Sequence, residues 1–194
     1  MIREPASIWQ LKTAPNQLTL LRMIFLPFIT IAIVDGYWKR ALILFILAGL
    51  SDGLDGLLAR VLEQKTKLGQ YLDPIADKLL LSTMFLVLSS TGKVPWRFTI
   101  LIFSRDVGIL VVCAVVYATT SLRDFSPSIF GKANTLAQIV TLLLVLIDEV
   151  RPEAIWIEAK QVALWLTFAL TLISWLHYTW LVGYRLRHLN AESA

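Results

Sequence analysis

Six apolar runs, residues 18–33, 41–61, 75–89, 98–118, 129–146 and 162–182, follow one another along the chain with mostly short polar breaks between them. A bilayer crossing takes about 20 apolar residues, and backbone groups in lipid are satisfied only inside helices or closed barrels. Runs of this kind predict an all-α integral membrane protein with six transmembrane helices. Several fall short of the ideal length, so their polar flanks are expected to continue the helices. A hydrophobic content of 57% with only 16% charged residues agrees, since soluble domains hold about 45–50% apolar residues. Residues 5–12, "PASIWQLK", are expected to form a short amino-terminal interfacial helix with Ile8, Trp9 and Leu11 among the headgroups; a disordered tail is the alternative. The first run carries Arg22 and Pro27 and has no small-residue cleavage site behind it, so it reads as a retained helix. The longest loop is expected over residues 148–160.

With six crossings and the amino terminus inside, ten basic residues fall on the inner side, Arg3, Lys12, Arg22 and Arg60 among them, and six on the outer side. Lys78 and Arg105 fall within the membrane. The bias puts both termini in the cytoplasm. A net charge of +4 then suits anionic headgroups, and nothing resembles a nucleic-acid module. The lone cysteine, Cys113, sits in an apolar run, which leaves no intrachain disulfide and no thiolate metal site.

Against this background the acids stand out. Asp52, Asp55, Asp73 and Asp77 fall within "SDGLDGLLARVLEQKTKLGQYLDPIADKLL", residues 51–80. A carboxylate at mid-bilayer costs about 2.5–3.5 kcal/mol even on the lenient insertion scale. Spacings of three and four put each pair on one face of its own helix, and the polar "RVLEQKTK" between them makes a turn at the inner surface. The two helices are thus expected to form an antiparallel hairpin with all four acids near its cytoplasmic end. Like charges so close need a cation. Carboxylate oxygens suit Mg²⁺ or Mn²⁺, with substrate phosphates completing the shell, and two such ions about 4 Å apart would clamp a diphosphate. The bland alternative is a set of interhelical salt bridges to Lys78 and Arg105, which would leave two acids over. Gly53, Gly56, Ala59 and Gly69 lie on or beside the acidic face and leave room for a ligand, although small residues also let helices approach closely.

The pattern Asp52-x-x-Asp55-Gly56-x-x-Ala59-Arg60, eight residues, then Gly69-x-x-x-Asp73-x-x-x-Asp77 resembles, at nine spaced positions, the signature of the CDP-alcohol phosphatidyltransferases. "APNQLTLLR" looks like that family's Pro-Asn-x-Leu-Thr-x-x-Arg opening, and "FGKANTLAQ" like its Gly-Lys-x-x-Thr-x-x-Gln segment. The resemblance implies six transmembrane helices, a homodimer, and transfer of a phosphatidyl group from CDP-diacylglycerol to an alcohol with release of CMP. It implies that Asp52, Asp55 and Asp73 ligate one metal ion, that Asp73 and Asp77 share in a second, and that Asp77 is the general base. Gly56, Ala59, Arg60, Thr66 and Gly69 would contact the cytidine diphosphate, with Asn16 and Thr19 at the pyrophosphate. The expected location is a bacterial inner membrane, with the active site near the cytoplasmic face.

The acceptor is a glycerol-type alcohol on this reading. Glycerol 3-phosphate enzymes of the family typically carry Arg-Glu and a further Arg in the fourth helix and Gly-Lys-x-Lys-Thr in the fifth. Here Ser104-Arg105-Asp106 has no further Arg before Arg123, and Asn134 stands where the second lysine would be, after Lys132. The resemblance then leans to the family's cardiolipin synthases, whose acceptor is phosphatidylglycerol, with Arg105, Lys132 and Asn134 as acceptor-site candidates. Glycerol 3-phosphate is the alternative. An Asp-rich prenyltransferase and a divalent-cation transporter are the readings from other classes; release of CMP from CDP-diacylglycerol separates all of these.

Overall fold

The structure, a computed structural model, describes the backbone of residues 14–61, 67–119 and 129–192, and side chains there except at 14–19, 52–61, 67–75, 110, 112–119, 181, 182 and 184–192. Six helices account for nearly all of it: α1 Ala14–Val34, α2 Trp38–Val61, α3 Lys67–Ser90, α4 Trp96–Thr119, α5 Ile129–Val150 and α6 Ala154–Glu192. The shortest has 21 residues, about 31 Å at 1.5 Å per residue, so each is long enough to cross a hydrocarbon core. By length and composition, Ile129–Val150 and Ala154–Trp180 are apolar enough to cross a membrane, and Leu20–Val34 is a shorter apolar stretch. The expected interfacial helix at residues 5–12 lies outside the described residues.

α3 begins at Lys67, its polar first turns continuing the helix as expected of the short run 75–89. One boundary differs from the sequence reading. The loop expected over residues 148–160 shrinks to Arg151–Glu153, since α5 runs to Val150 and α6 starts at Ala154. Asp148 and Lys160, read from sequence as outer-loop residues, are therefore helical. They form an ion pair, and Asp148 is buried. The aromatic residues of α6 fall in two separate places. Trp165 and Trp180 are separated by fifteen residues of continuous helix, or about 22 Å. Trp165 joins an edge-to-face cluster with Phe98 and Phe168, and Trp180 stands with His177.

The chain divides into two units, residues to Lys93 with Glu149–Arg151, and Val94–Asp148 with Pro152 onward. In the first, α1 packs against both α2 and α3. Its core alternates small and large side chains: Ile29, Ala32 and Ile33 from α1, Ala41, Phe45 and Ala48 from α2, and Leu81, Met84, Phe85 and Leu88 from α3. On α2, Ala41 and Ala48 lie seven residues apart, two turns along the face that carries Phe45, and small residues so placed let a neighbouring helix approach closely. The other side of α1 leaves Ile24, Phe28, Ile31 and Val34 more than half exposed, an apolar stripe of the sort lipid covers.

The ends of α1 and α3 are set by glycine. Gly36 and Gly92 both have φ of 74°, and each closes a Schellman cap. Tyr37 N–H bonds Ala32 O at 2.7 Å and Gly36 N–H bonds Ile33 O at 3.1 Å; Lys93 and Gly92 repeat the pattern on Leu88 and Ser89. The sequence "VDGYW" stops one helix and starts the next. Lys93, at the second cap, reaches Glu149 at 2.5 Å and lies over the Trp38 ring.

In the second unit α4 packs on α6, and α5 is bonded to α6 by hydroxyls. Thr141 Oγ1 lies 3.1 Å from Ala163 O and 2.8 Å from Thr167 Oγ1, and Thr171 Oγ1 donates to Asn134 Oδ1 at 2.9 Å. Asn134, Gln138 and Thr141, at spacings of four and three, put a polar seam along one face of α5. All three are fully buried.

Candidate active site

The acidic motif lies on two helices of the first unit. Asp52, Asp55, Gly56, Ala59 and Arg60 occupy the carboxyl-terminal half of α2, and Gly69, Asp73 and Asp77 the amino-terminal half of α3. Unbroken helix through both motifs gives the spacings their geometric meaning: Asp52 and Asp55 stand about 60° apart around α2, and Asp73 and Asp77 about 40° apart around α3. The side chains of residues 52–61 and 67–75 lie outside the described residues, as does Thr66 entirely. Asn16 and Thr19 sit in the first two turns of α1, and their side chains too lie outside.

Asp77 is described in full, and its partner is the arginine that closes the "APNQLTLLR" opening, a pairing the sequence did not disclose. Arg22 of α1 donates through Nη1 to Asp77 Oδ1 of α3. The Arg22 side chain is 1% exposed and that of Asp77 40% exposed. Counted from sequence among the inner-surface cations, Arg22 is instead buried within its unit. Its own apolar surroundings, Leu21, Met23 and Ile24, were the signal: an ionisable residue inside a membrane helix needs a partner. One turn from Thr19, it also links the Asn16–Thr19 segment to the acidic helix.

The residues suit a divalent ion by the chemistry of their donors. Asp52, Asp55, Asp73 and Asp77 offer only carboxylate oxygens, the ligands of hard cations such as Mg²⁺ and Mn²⁺. No cysteine or histidine occurs from Asp52 to Asp77 to favour a softer metal. Among the described residues no three His, Cys, Asp or Glu side chains gather, which follows from three of the four acids lying outside them.

The three acceptor candidates belong to the second unit. Arg105 on α4 is buried, with Nη1 2.7 Å from Asp106 Oδ1 and Nη2 2.5 Å from Ser174 Oγ. Asn134 on α5 is fully buried and accepts the Thr171 hydroxyl. Lys132 is exposed. No hydrogen bond or ion pair among the described residues joins Arg105 to either of the others.

The profile of the CDP-alcohol phosphatidyltransferases matches residues 12–173, which takes in α1 through the first half of α6. The chain belongs to this family. It is an enzyme of phospholipid biosynthesis, a phosphatidyltransferase. Among curated relatives, the CDP-diacylglycerol–glycerol-3-phosphate 3-phosphatidyltransferase of Aquifex aeolicus is 34% identical over 89% of this chain and 96% of its own length. The Bacillus subtilis protein of the same name is 30% identical over 84% and 92%. A cardiolipin synthase (CMP-forming) of Rattus norvegicus is 31% identical over 86% of this chain and 61% of its own length. CDP-alcohol phosphatidyltransferases use divalent metal ions and join CDP-diacylglycerol to an alcohol such as glycerol phosphate or phosphatidylglycerol. The relatives' names divide between those two acceptors.

Proposed function

We propose that this phosphatidyltransferase uses phosphatidylglycerol as its acceptor, releasing CMP and making cardiolipin. The observation that carries this reading is the pairing of Arg105 with Asp106. A phosphomonoester acceptor calls for cations free to meet it, and here the Arg105 charge is met within its own helix while Asn134 is neutral and buried. Lys132 alone among the three candidates is an exposed cation. Glycerol 3-phosphate is the second reading, favoured by relatives of that name that match over nearly their whole length.

In the reaction the acceptor hydroxyl oxygen bonds to the phosphorus nearer the diacylglycerol. The bond from that phosphorus to the bridging diphosphate oxygen breaks, CMP departs with those electrons, and the hydroxyl proton passes to Asp77. Asp52, Asp55 and Asp73 would hold one divalent ion, and Asp73 and Asp77 a second; when bound, such ions stabilise the negative charge of the diphosphate. Gly56, Ala59 and Gly69 leave the donor room against the helices, Arg60 offers a fork of donors to phosphate, and Thr66, Asn16 and Thr19 complete the donor site. Six crossings place this site near the cytoplasmic face of a multi-pass protein in a bacterial inner membrane, working as a homodimer. The length of all six helices and the exposed apolar side of α1 support that arrangement.

The test is product identification by mass spectrometry after incubating purified protein with CDP-diacylglycerol, a divalent ion, and either phosphatidylglycerol or glycerol 3-phosphate. Cardiolipin and CMP are expected. Phosphatidylglycerophosphate as the sole product would replace the preferred acceptor with the second.

A further inference from the structure

We infer that Arg22 is a positioning residue for Asp77: a fixed internal cation that holds this carboxylate and weakens the divalent ion bound there relative to the other. The inference rests on the proposed metal role of Asp77. Three observations carry it. Arg22 is 1% exposed, so its guanidinium is out of reach of bulk water and of a phosphate arriving from solution. Its contact is a direct one to Asp77 Oδ1, across 55 residues of sequence and between two helices. Asp77 for its part is 40% exposed, so the carboxylate is held from the protein side while part of it faces outward.

Arginine does not lose its proton in proteins, so this charge persists whatever else binds. A cation on Asp77 therefore arrives beside a permanent positive charge. A charge within contact distance of a carboxylate changes cation binding to it by about one to three powers of ten. The two ions proposed for the acidic motif are thereby unequal, the one at Asp77 being the weaker. The same bond fixes Asp77 Oδ1, so the carboxylate is held in place before any ion or lipid arrives.

Mn²⁺ binding to the full chain in detergent, followed by electron paramagnetic resonance with CMP present, tests this without turnover. In Arg22→Gln the weaker of two Mn²⁺ should bind about tenfold tighter or more, while kcat falls. Arg22→Lys should keep the wild-type ion affinity to within about threefold and recover part of kcat. Unchanged or weaker Mn²⁺ binding in folded Arg22→Gln would overturn the inference. A second comparison, melting in excess chelator, needs neither metal nor activity. Asp77→Asn should melt lower than wild type because it removes the carboxylate that Arg22 Nη1 contacts, and Arg22→Gln/Asp77→Asn should melt higher than Asp77→Asn alone. A double variant no more stable than Asp77→Asn overturns the pairing even if Arg22→Gln by itself fails to fold. Wild-type protein that takes up no Mn²⁺ would remove the metal assignment and this inference with it, and the chelator comparison distinguishes that failure from failure of the pair.

Discussion

Each unit of the molecule buries an arginine, and the two are handled differently. Arg22 is paired across helices with an acid 40% exposed. Arg105 is paired with its sequence neighbour Asp106, both side chains under 10% exposed, and finishes on Ser174. The second arrangement is closed: charge and counter-charge sit on one helix and a hydroxyl from α6 takes a further donor. It holds α4 to α6. The first is open, because the acid that neutralises Arg22 also reaches a surface where a ligand can meet it. A buried charge alone thus says little about function. Exposure of its partner is what distinguishes the Arg22 pair from the Arg105 pair.

The largest expected effect lies in the open half. Asp52→Asn or Asp73→Asn, or excess chelator on the wild type, should reduce CMP release from CDP-diacylglycerol to background, with melting unchanged or raised in the variants because a carboxylate leaves a repelling cluster. Full turnover in chelator would break the two-ion proposal. Next, Asp77→Asn should cut kcat by about 10²–10⁴, the range for a positioned base, while KM for the donor holds nearly steady. It should differ from the other acids in melting lower without metal, by about 1–3 kcal/mol. That is less than the 3–5 kcal/mol of a fully buried broken pair, because Asp77 is partly exposed. Donor affinity falling in step with rate would recast Asp77 as chiefly a metal ligand.

Much of this was legible in the sequence, for particular reasons. Six runs of bilayer length gave six helices because only a helix satisfies the backbone of so apolar a segment. The helical course of both acidic motifs followed from spacings of three and four. The polar turns "KLGQYLD" were expected to extend the short third run, and α3 does start at Lys67. The 148–160 loop was misplaced because Asp148 and Lys160 read as surface charges, yet they neutralise each other on adjoining helices. The "APNQLTLLR" motif marked Arg22, but its burial and its partner were missed because counting charges by side treats every cation near a helix end as solvated. Only the fold brings α1 onto α3. The acceptor candidates were chosen by residue type alone, and type does not reveal that Asn134 is turned wholly inward.

That burial changes what Asn134→Lys would do. From sequence alone, a lysine there looks like a way to add a cation for a phosphomonoester. In the structure it would bury an unpaired charge beside Thr171, with a cost of about 3 kcal/mol or more. Lower yield and a lower melting temperature are expected, with no gain in use of glycerol 3-phosphate. A well-folded Asn134→Lys that does use glycerol 3-phosphate better would show the closed half to be open after all. Lys132→Gln, at an exposed position, is the milder probe: a lost charged hydrogen bond to phosphate, about 1.5–3 kcal/mol, would appear only with glycerol 3-phosphate.

The smallest effect is expected at the Thr141–Thr167 contact of the seam. Each hydroxyl has one proton to give. If Thr141 donates to Ala163 O, the 2.8 Å contact between the hydroxyls has Thr167 as its donor. Thr167→Val then removes one bond and leaves Thr141 still bonded to the carbonyl. Thr141→Val removes both, but it frees Thr167 to turn onto Ala163 O, four residues back on its own helix, the usual recourse of a helical threonine. The loss is partly recovered in either case. A double-mutant cycle should therefore return a coupling of about 0.6 kcal/mol, and no more than about 1.7 kcal/mol, the range for hydrogen bonds between membrane helices. CMP release by the folded variants should stay within about twofold of wild type. Tenfold loss of turnover at unchanged stability would place the α5 seam among the working parts, and the contrast between an open half and a closed one would no longer hold.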